Sequence, residues 1–480
     1  MPLLTLAVAL AALYLYNLNG VGVLQTDEPR YLAIGQAMTR SGDWITPMLW
    51  GHPWFEKPAL LYWMTGVGAE IGLGPELAGR LPVAVLSLAF LLVGYCLFVR
   101  EFGRPAAGAT IALLASSAGW LAYSELALTD LPLAVFFSLA VFLALPLVHE
   151  GGRNTQVNAR FLLIGVCFGL ALLAKGLVPI VLAVPFCWFL RGHWKRWWLA
   201  CLAAAIIALP WYVAVTERSG YPFIQEFFLK HHLQRLYSAS LQHVQPWFYY
   251  FPVLLAALFP WTPLFVLLLR RNMVWDARRR FLASIVVFGF AFFSVTLNKL
   301  PGYLLPLLPS AFAVLGSQLE NRRLVEIPRW WLLPSACLIA LVPLLVSVVP
   351  GSLARGKFSF AAIHLNRTEA FYVLLPIAAL VLARRSWAGL MMVLCLATAG
   401  LYLKVESYPV LDRLASPRQL WNEIESKSSG LCDTGTNREW LYGLEFYRGS
   451  EVPPCAPKQG FRYEIHSSDH QRPVVGPFAQ

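Results

Sequence analysis

The sequence predicts an all-α polytopic membrane protein with a small α/β domain at its C-terminal end. Of the 480 residues, 58% are hydrophobic and only 13% are charged, and the mean hydropathy is +0.58. Soluble domains carry about a quarter charged residues, and a soluble fold of this length could not bury so much apolar surface. Many of the 18 Trp residues lie where apolar runs meet polar loops, as expected for rings at the headgroup level of a bilayer.

Apolar stretches recur along the chain at the length that crosses a bilayer, which is about 20 residues. The first lacks a basic n-region and a small-residue cleavage site, so we expect an uncleaved first span rather than a signal peptide. A pair near the middle is short and is expected to tilt, kink or reach only part way. The 13 predicted spans are 2–24, 78–99, 105–122, 131–148, 161–174, 177–190, 197–214, 247–269, 281–297, 303–319, 330–349, 369–383 and 387–403.

Short loops rich in arginine alternate with longer loops that hold most of the acidic residues outside the tail. This asymmetry predicts that the arginine-rich loops are cytoplasmic. The N-terminus is then cytoplasmic, and the long first loop and the C-terminal tail face the periplasm of a bacterial inner membrane. We therefore predict a transmembrane domain over 1–403, with a catalytic periplasmic loop over 25–77, and a small periplasmic domain over 404–480.

Composition also restricts the partners. The net charge of +12 is explained by membrane orientation and anionic headgroups, so we expect membrane lipids and no nucleic acid. The sequence has no glycine loop of the kind that cradles nucleotide phosphates, which argues against an ATP-driven machine. Cys432 and Cys455 lie in the polar tail, where they pair if the tail is periplasmic and stay as thiols if it is cytosolic.

The outward loop 25–77 is dense in polar groups that a membrane span does not need. Asp27 and Glu28 follow the first span directly, at the membrane–water boundary. Thr26 is a candidate N-cap for a helix that starts here, and two acids in the first turn would favour the helix dipole. For Glu28 this capping role is as strong an interpretation as a functional one, whereas for Asp27 we favour catalysis.

Other ionisable residues lie near the outer ends of later spans. Asp130 ends the short turn 123–130, Lys299 follows another span, and Lys175 interrupts the apolar run between two short spans. Ionisable groups at a membrane boundary are functional candidates by default. Snorkelling explains any single lysine, but it explains poorly a set of acids and bases that converge on one face.

Several motifs in the first half of the chain carry a family resemblance. The loop contains Asp-Glu-Pro-Arg-Tyr at 27–31, Gly-Asp-Trp at 42–44 and Phe-Glu-Lys-Pro at 55–58. These motifs resemble the first periplasmic loop of the aminoarabinose transferase family, which shares its fold with the protein O-mannosyltransferases in the C-type glycosyltransferase superfamily. Segments 232–248 and 299–303 fit the same pattern. The tail is shorter than in the aminoarabinose enzymes, which leaves the acceptor open.

The resemblance implies a polyprenyl-phosphate-linked sugar as donor and a lipid, glycan or protein acceptor at the periplasmic face. Asp27 would be the general base that takes a proton from the acceptor hydroxyl as it attacks the anomeric carbon, and one such displacement inverts the configuration. A positioned base contributes about 10²–10⁴-fold. Lys57 matches the lysine that binds the lipid phosphate in the family, and Arg235 and Lys299 are further candidates for that task.

The remaining candidates concern positioning. Asp130 matches the second acidic position of the family and is assigned to the catalytic site for sugar or acceptor positioning. Structural pairing with Arg30 or Lys299 is the alternative. The residues predicted to position substrate are Glu28, Arg30, Tyr31 and Tyr303.

A metal site is a separate hypothesis. The mechanism requires no cofactor, because a charged phosphate departs without a general acid. Glu56 with His232 or His243 could nevertheless hold a divalent ion such as Zn or Mg, since carboxylate and imidazole suit it. His232 could equally line a solvated face of an interfacial helix, which the apolar spacing over 215–246 predicts.

Two other function classes compete with an inverting glycosyltransferase. A transporter or flippase for lipid-linked saccharides predicts charges midway along the spans and broken helices near the bilayer centre, whereas these charges lie at the outer boundary. A polymerase or ligase usually relies on basic and His residues in a large late loop, whereas this chain concentrates acids in its first loop. A non-catalytic scaffold leaves that concentration of acids unexplained.

Overall fold

The chain is predominantly helical in a computed structural model, which describes residues 2–148, 156–234, 244–270, 273–318, 329–355, 366–384, 387–456, 461–467 and 472–478. Up to residue 234 the elements are α1 (Pro2–Leu15), α2 (Asp27–Ser41), β1 (Met48–Leu49), β2 (His52–Pro53), α3 (Leu60–Glu70), α4 (Leu77–Ala115), α5 (Ala118–Ser124), α6 (Asp130–Val148), α7 (Val157–Lys175), α8 (Val178–Leu182), α9 (Val184–Phe189), a 3₁₀ helix (Arg191–Arg196), α10 (Trp197–Ser219), α11 (Tyr221–Ile224) and a π-helix (Gln225–Gln234).

The second half of the chain continues the helical pattern and adds a small sheet. Its elements are a 3₁₀ helix (Trp247–Tyr249), α12 (Tyr250–Ala257), a 3₁₀ helix (Thr262–Leu269), α13 (Ala277–Val295), a 3₁₀ helix (Pro301–Leu307), α14 (Leu308–Ser317), α15 (Arg329–Leu341), α16 (Leu345–Arg355), α17 (Arg367–Leu382), α18 (Ala388–Ala415), α19 (Pro417–Ile424), a 3₁₀ helix (Glu425–Gly430), β3 (Leu431–Asp433), α20 (Arg438–Arg448), β4 (Tyr463–His466) and β5 (Val474–Pro477).

Five helices of the described ranges are long and apolar enough to cross a bilayer, or up to seven if each of two bent pairs is one span. The helical membrane architecture is therefore confirmed, but the count of thirteen is not. Several predicted spans are broken: the stretch 247–269 bends by 108° between its halves, and the helix of 2–24 ends at Leu15. The predicted break between 78–99 and 105–122 falls inside α4, at Gly103, where φ is 77° and only glycine fits without strain.

Small residues allow the spanning helices to approach closely. A Cβ added at Gly165 of α7 would lie 2.3 Å from the carbonyl oxygen of Ala200 in α10, and one at Gly316 of α14 would lie 2.1 Å from Oγ1 of Thr110 in α4. In lipid there is little hydrophobic drive between helices, so such close van der Waals contacts hold the bundle together. Large buried rings fill the core between α4, α5 and α6: Phe90, Phe98, Trp120, Phe137 and Phe142.

A buried ion pair ties α2 to α4. The Arg80 guanidinium donates to both carboxylate oxygens of Glu28, at 2.7 Å each, and both side chains are buried. Its remaining hydrogen bonds go to the main-chain carbonyls of Leu18, Val21 and Gly22. The pair therefore fixes the connection between α1 and α2, and with it the start of the first outward loop.

The C-terminal segment, defined here as residues 416–478, has a mixed α/β structure. Strand β4 pairs in parallel with β3 and antiparallel with β5, and α19 and α20 pack on the sheet through apolar residues of their own cluster. A disulfide joins Cys432 to Cys455, which is the pairing expected of a periplasmic tail. The preceding helix, α18, runs through the predicted boundary at 403 to Ala415.

The C-terminal segment is attached to the same connection that Arg80 holds. The Tyr447 hydroxyl donates to Glu76 at 2.8 Å and accepts from the Val23 N–H at 3.0 Å. Arg418 forms an ion pair with Asp412 at 3.0 Å, at the end of α18. These contacts place α20 beside the first outward loop.

Glu445 of α20 is a buried carboxyl group in the C-terminal segment. Its Oε1 accepts a hydrogen bond from the Val452 N–H at 3.1 Å, whereas its Oε2 has no hydrogen-bond partner among the described residues. Burial, with smaller contributions from Glu451 and Asp433, raises the pKa of Glu445 to about 8. The folded state therefore keeps this proton to a higher pH than the unfolded chain, in which the pKa is about 4.3.

We predict that Glu445→Gln stabilises α20 at alkaline pH. Because the folded pKa is raised, the wild type loses stability as pH rises from about 4.3 to about 8. The amide carries no such penalty and can still accept from Val452. Hydrogen exchange over 438–452 in the full chain should show an advantage for the variant that grows between pH 5 and 8 and then levels off. Glu439→Gln, at an exposed position of the same helix, is the control, and a pH-independent difference at Glu445 would contradict the prediction.

Candidate functional site

The first turn of α2 places an arginine between two carboxylates. The Arg30 guanidinium pairs with Asp27 one turn earlier and with Glu56 at 2.9 Å, and its Nε donates to the Thr26 carbonyl at 2.9 Å. Thr26 occupies the N-cap position, as the sequence predicts, but its hydroxyl does not cap the helix. The loop residues 26, 27 and 56 are thus held together by the mostly buried side chain of Arg30.

Glu56 lies between two cations. In addition to Arg30, Lys57 contacts it, with its Nζ 2.8 Å from Oε1. Burial by itself raises the pKa of Glu56, but the charges of Lys57 and Arg30 outweigh burial and hold that pKa well below its usual range. Glu56 is therefore ionised at any physiological pH and acts as an acceptor for the two cations rather than as a proton donor.

A second charged pair joins the N-terminal end of α6 to the C-terminal end of α7. Lys175 Nζ is 2.5 Å from Asp130 Oδ1 and 4.9 Å from the centre of the Tyr303 ring. A Cβ added at Gly302 would lie 2.2 Å from the same carboxylate oxygen. The glycine of the Lys-Leu-Pro-Gly-Tyr motif therefore allows the 3₁₀ turn to approach Asp130, and the next residue places its ring against Lys175.

All of these charged groups except Asp130 line two adjoining cavities. The apolar cavity, of about 260 Å³, is lined by Glu56, Lys57, Leu133, Lys175, Leu177, Val178, Val181, His231, Phe292, Phe293, Thr296, Asn298 and Tyr303. The polar cavity, of about 630 Å³, is lined by Gln25, Thr26, Asp27, Arg30, Pro53, Trp54, Phe55, Glu56, Glu226, Lys230, His231, Leu300, Arg438, Glu439 and Tyr442. Glu56 and His231 belong to both sets, so they form the shared wall.

The apolar cavity has an apolar neighbour. Leu177 lines it and also lines a third cavity, the apolar groove, of about 560 Å³. The groove runs between α7 and α10 and is bounded almost entirely by aliphatic and aromatic side chains, such as Ile164, Phe168 and Leu209. The apolar cavity, which two lysines line, is therefore next to the apolar groove.

Asp27 is the most accessible acid of the predicted site. Its side chain is 37% exposed, compared with 15% for Asp130, 11% for Glu56 and 2% for Glu28. A general base has to reach the proton that it abstracts, and Asp27 meets this requirement from the polar cavity. Asp130 pairs with Lys175 instead of with Arg30 or Lys299, the partners that the sequence suggested.

Four predicted site residues that the structure describes line neither cavity: Asp130, Glu28, Tyr31 and Lys299. The carboxylate of Glu28 is paired with Arg80, which supports a structural role for Glu28 rather than substrate positioning. Tyr31 is buried, with its ring centre 5.9 Å from that of Tyr62. Lys299 is 3% exposed, and its ammonium donates to the main-chain carbonyls of residues 245 and 296. The ammonium of Lys299 is directed at these two carbonyls, and its assignment to the lipid phosphate stays a prediction.

Part of the predicted site lies outside the described residues, namely Arg235, His243 and the side chain of His232. In the ranges that the structure describes, no group of three or more His, Cys, Asp or Glu residues is arranged to hold a metal. Glu56, the described member of the hypothetical metal site, already faces Arg30 and Lys57. The metal assignment therefore stays a prediction.

Sequence reasoning assigned no specific role to several other residues that line these cavities. Lys175 is visible in the sequence as a charge within an apolar run, but its pairing with Asp130 requires the packing of α6 on α7. His231 lies beside a residue that was singled out, and its Nε2 is 3.1 Å from Glu226. No sequence signal identifies Arg438 or Tyr442, because they come from the C-terminal segment.

Comparison with known proteins gives sequence matches and structural matches. Residues 1–219 match the family model described as dolichyl-phosphate-mannose-protein mannosyltransferase. The undecaprenyl phosphate-alpha-4-amino-4-deoxy-L-arabinose arabinosyl transferase of Pseudomonas aeruginosa (strain UCBPP-PA14) is 32% identical over 335 residues, which are 66% of this chain and 59% of that protein. The corresponding transferase 1 of Pseudomonas fluorescens (strain Pf0-1) is 34% identical over 64% of this chain and 56% of its own length. The matched part of the chain thus spans less than two thirds of the length of these relatives.

Solved structures share the fold over nearly the whole chain. ArnT from Cupriavidus metallidurans bound to undecaprenyl phosphate superposes with a TM-score of 0.77, at 22% identity, over 98% of this chain and 97% of that one. The oligosaccharyltransferase AglB from Archaeoglobus fulgidus gives a TM-score of 0.53, at 13% identity, over 97% of this chain and 69% of that one. At these identities the likeness concerns the fold.

We predict that Glu28→Gln lowers the thermal stability of the purified protein in detergent. The change removes the carboxylate that contacts the buried Arg80 guanidinium, and removing one partner of a buried pair costs about 3–5 kcal/mol. Asp27→Asn is the matched control, because Asp27 is partly exposed and Arg30 would still be paired with Glu56 in that variant. A Tm for Glu28→Gln equal to that of the control would contradict the structural role of Glu28.

Proposed function

We propose that this chain is an inverting glycosyltransferase of the integral membrane family that includes the aminoarabinose transferases and the protein O-mannosyltransferases, as its sequence matches support. It transfers a sugar from an undecaprenyl-phosphate-type carrier to an envelope acceptor at the periplasmic membrane face. The observation that carries the proposal is the pair of adjoining cavities. The apolar cavity is lined by Lys57 and Lys175 and lies next to the apolar groove, and the polar cavity is lined by the accessible carboxylate of Asp27.

The apolar cavity suits a lipid-linked phosphate. Lys57 and Lys175 provide two ammonium groups at its polar end, and charge-assisted hydrogen bonds to phosphate are the strong kind. The apolar groove beyond Leu177 suits a polyprenyl chain, because almost all of its lining side chains are apolar and an isoprenoid makes no hydrogen bonds. The name of the Pseudomonas aeruginosa relative contains undecaprenyl phosphate, and the related solved structure holds it; both facts support this choice of carrier.

The polar cavity suits the acceptor. Asp27 faces it and would take the proton of the acceptor hydroxyl as that oxygen bonds to the anomeric carbon. In the same step the bond from this carbon to the phosphate oxygen breaks, and the electron pair leaves with the phosphate. The products are the glycosylated acceptor, protonated Asp27 and the free polyprenyl phosphate. Because attack and departure occur on opposite faces of the carbon, the configuration inverts.

The charged pairs prepare the site for the negative charge of the leaving group. Preorganised cations stabilise charge where it develops, without reorganisation during the reaction. Asp130 and the Tyr303 ring hold Lys175 at the cavity, and Glu56 holds Lys57 and Arg30 there. In this mechanism Asp130 and Tyr303 act by positioning Lys175, and neither a metal nor a general acid is needed.

Membrane topology and domain organisation extend the proposal. We retain thirteen crossings, several of them by bent or broken helices, with a cytoplasmic N-terminus. The first outward loop, over 25–77, and the C-terminal segment then lie together in the periplasm, and the end of α18 links the membrane domain to a small periplasmic domain. The Cys432–Cys455 disulfide supports this side of the membrane. A lipid A-like glycolipid, a polysaccharide and a protein are the acceptor classes to compare.

We predict that Asp27→Asn lowers the rate of sugar transfer by about 10²–10⁴-fold, because the amide cannot accept the proton. Purified wild type and variant would be incubated with undecaprenyl-phosphate sugars and the three acceptor classes, with donor and product followed by mass spectrometry. Asp43→Asn is the matched control, since Asp43 lies in the same loop and pairs with Arg218 at 2.7 Å. Equal transfer by Asp27→Asn would exclude Asp27 as the base. Movement of intact lipid-linked sugar across vesicles by wild type, without cleavage, would favour a flippase.

We predict that Lys175→Gln weakens binding of undecaprenyl phosphate by about 10- to 100-fold, the effect of losing a hydrogen bond to a charged group. Loss of Lys175 also leaves Asp130 unpaired, so the double variant Lys175→Gln with Asp130→Asn is required. Binding that stays weak in the double variant supports direct contact of Lys175 with the phosphate. Recovery of binding in the double variant would assign the defect to Asp130. Lys230→Gln, which lies in the polar cavity, is expected to leave this affinity unchanged.

A further inference from the structure

Arg30 is in contact with aromatic rings as well as with acids. Its guanidinium carbon lies 5.1 Å from the centre of the Trp54 ring and 5.3 Å from the centre of the Tyr442 ring. The edges of the same guanidinium reach Asp27, Glu56 and the carbonyl of residue 26. The acids and the carbonyl thus set the direction of its donors, and the rings limit how it can tilt.

The two rings come from different parts of the chain. Trp54 belongs to the first outward loop, as Arg30 does, whereas Tyr442 belongs to α20 of the C-terminal segment. The Tyr442 ring also lies 5.7 Å from the Trp50 ring. The Cys432–Cys455 disulfide closes the part of the chain that contains α20.

We propose that Tyr442 is a positioning residue that holds the Arg30 guanidinium against Asp27 and thereby fixes the orientation of the base. The inference rests on the proposed function, since it assigns to Asp27 the role of general base. It makes the C-terminal segment a part of the catalytic unit, because the segment supplies one of the two rings that fix the arginine.

The physical reason is the balance of forces on Arg30. The guanidinium has two acidic partners, and without Tyr442 its face would open to the polar cavity and to water. Water weakens the ion pairs and allows the side chain to adopt other rotamers. Glu56 has a second partner in Lys57, but Asp27 is one-third exposed and relies on Arg30 for its position. The loss of Tyr442 is therefore expected to affect Asp27 more than Glu56.

The test compares Tyr442→Leu with Tyr442→Phe. Phenylalanine keeps the ring and its cation–π contact, whereas leucine keeps apolar volume and removes the ring. We expect kcat for sugar transfer to fall about 3- to 30-fold in Tyr442→Leu, which corresponds to a partly desolvated cation–π contact, and to stay near wild type in Tyr442→Phe. Undecaprenyl phosphate binding and the KM for the acceptor are expected to stay near wild type in both.

The matched control is Tyr463→Leu. Tyr463 lies in β4 of the same segment, and its ring centre is 5.3 Å from the ammonium of Lys427, remote from the cavities. This variant removes the same kind of contact, so a fall in kcat similar to that of Tyr442→Leu would assign both effects to general loosening of the segment and overturn the proposal. Tyr442→Gln serves as a second ring-less variant if Tyr442→Leu lowers Tm.

The other outcomes are separable. A raised acceptor KM with unchanged kcat in Tyr442→Leu would make Tyr442 a direct acceptor contact instead of a positioning residue. Equal kcat in wild type and Tyr442→Leu would overturn the inference while wild-type transfer still supports the glycosyltransferase. Absence of transfer by wild type with every donor and acceptor would instead remove the proposed function, and the inference with it.

Discussion

The buried ion pair between Glu28 and Arg80 is the interaction on which the rest of the site depends. Arg80 comes from the long helix α4, and its other donors hold the carbonyls of the connection between α1 and α2. This arrangement sets where α2 begins, and Asp27 and Arg30 lie in its first turn. The same connection receives Tyr447 of the C-terminal segment. One pair in the described structure therefore relates the bundle, the outward loop and the C-terminal segment to each other.

The charges of the candidate site are arranged so that Lys57, Lys175 and Arg30 each have a nearby acid. Lys175 has Asp130, Lys57 has Glu56, and Arg30 lies between Asp27 and Glu56. Burying a charge at a membrane boundary is costly unless it is paired, so these pairs make a cationic site tolerable before a substrate arrives. A lipid phosphate can then join two ammonium groups that already point into the apolar cavity. Asp27 differs from the other acids because it is open to the polar cavity, as a general base has to be.

Separation of the two cavities gives the proposed reaction its geometry. Glu56 and His231 form their common wall, with the lysines on one side and Asp27 on the other. Donor and acceptor can approach from different directions, the donor along an apolar path and the acceptor from a polar one. An in-line displacement at the anomeric carbon requires such an arrangement. The C-terminal segment completes the polar cavity through α20, so it contributes to the site as well as to the fold.

The sequence by itself determined that this protein is built for a lipid environment, and it predicted where the proposed chemistry lies. Hydropathy indicated a membrane bundle, and the acids and bases gathered in the loop after the first span pointed to Asp27, because spanning the membrane does not require them. Sequence spacing could not determine the number of straight spans, since proline and glycine break several apolar runs. Sequence spacing also could not predict that Lys175 pairs with Asp130 or that Lys299 donates to backbone carbonyls. Nor could it predict the contact of Tyr442 with Arg30, which are more than four hundred residues apart in the chain. Those contacts depend on how distant helices pack, which only the tertiary structure decides.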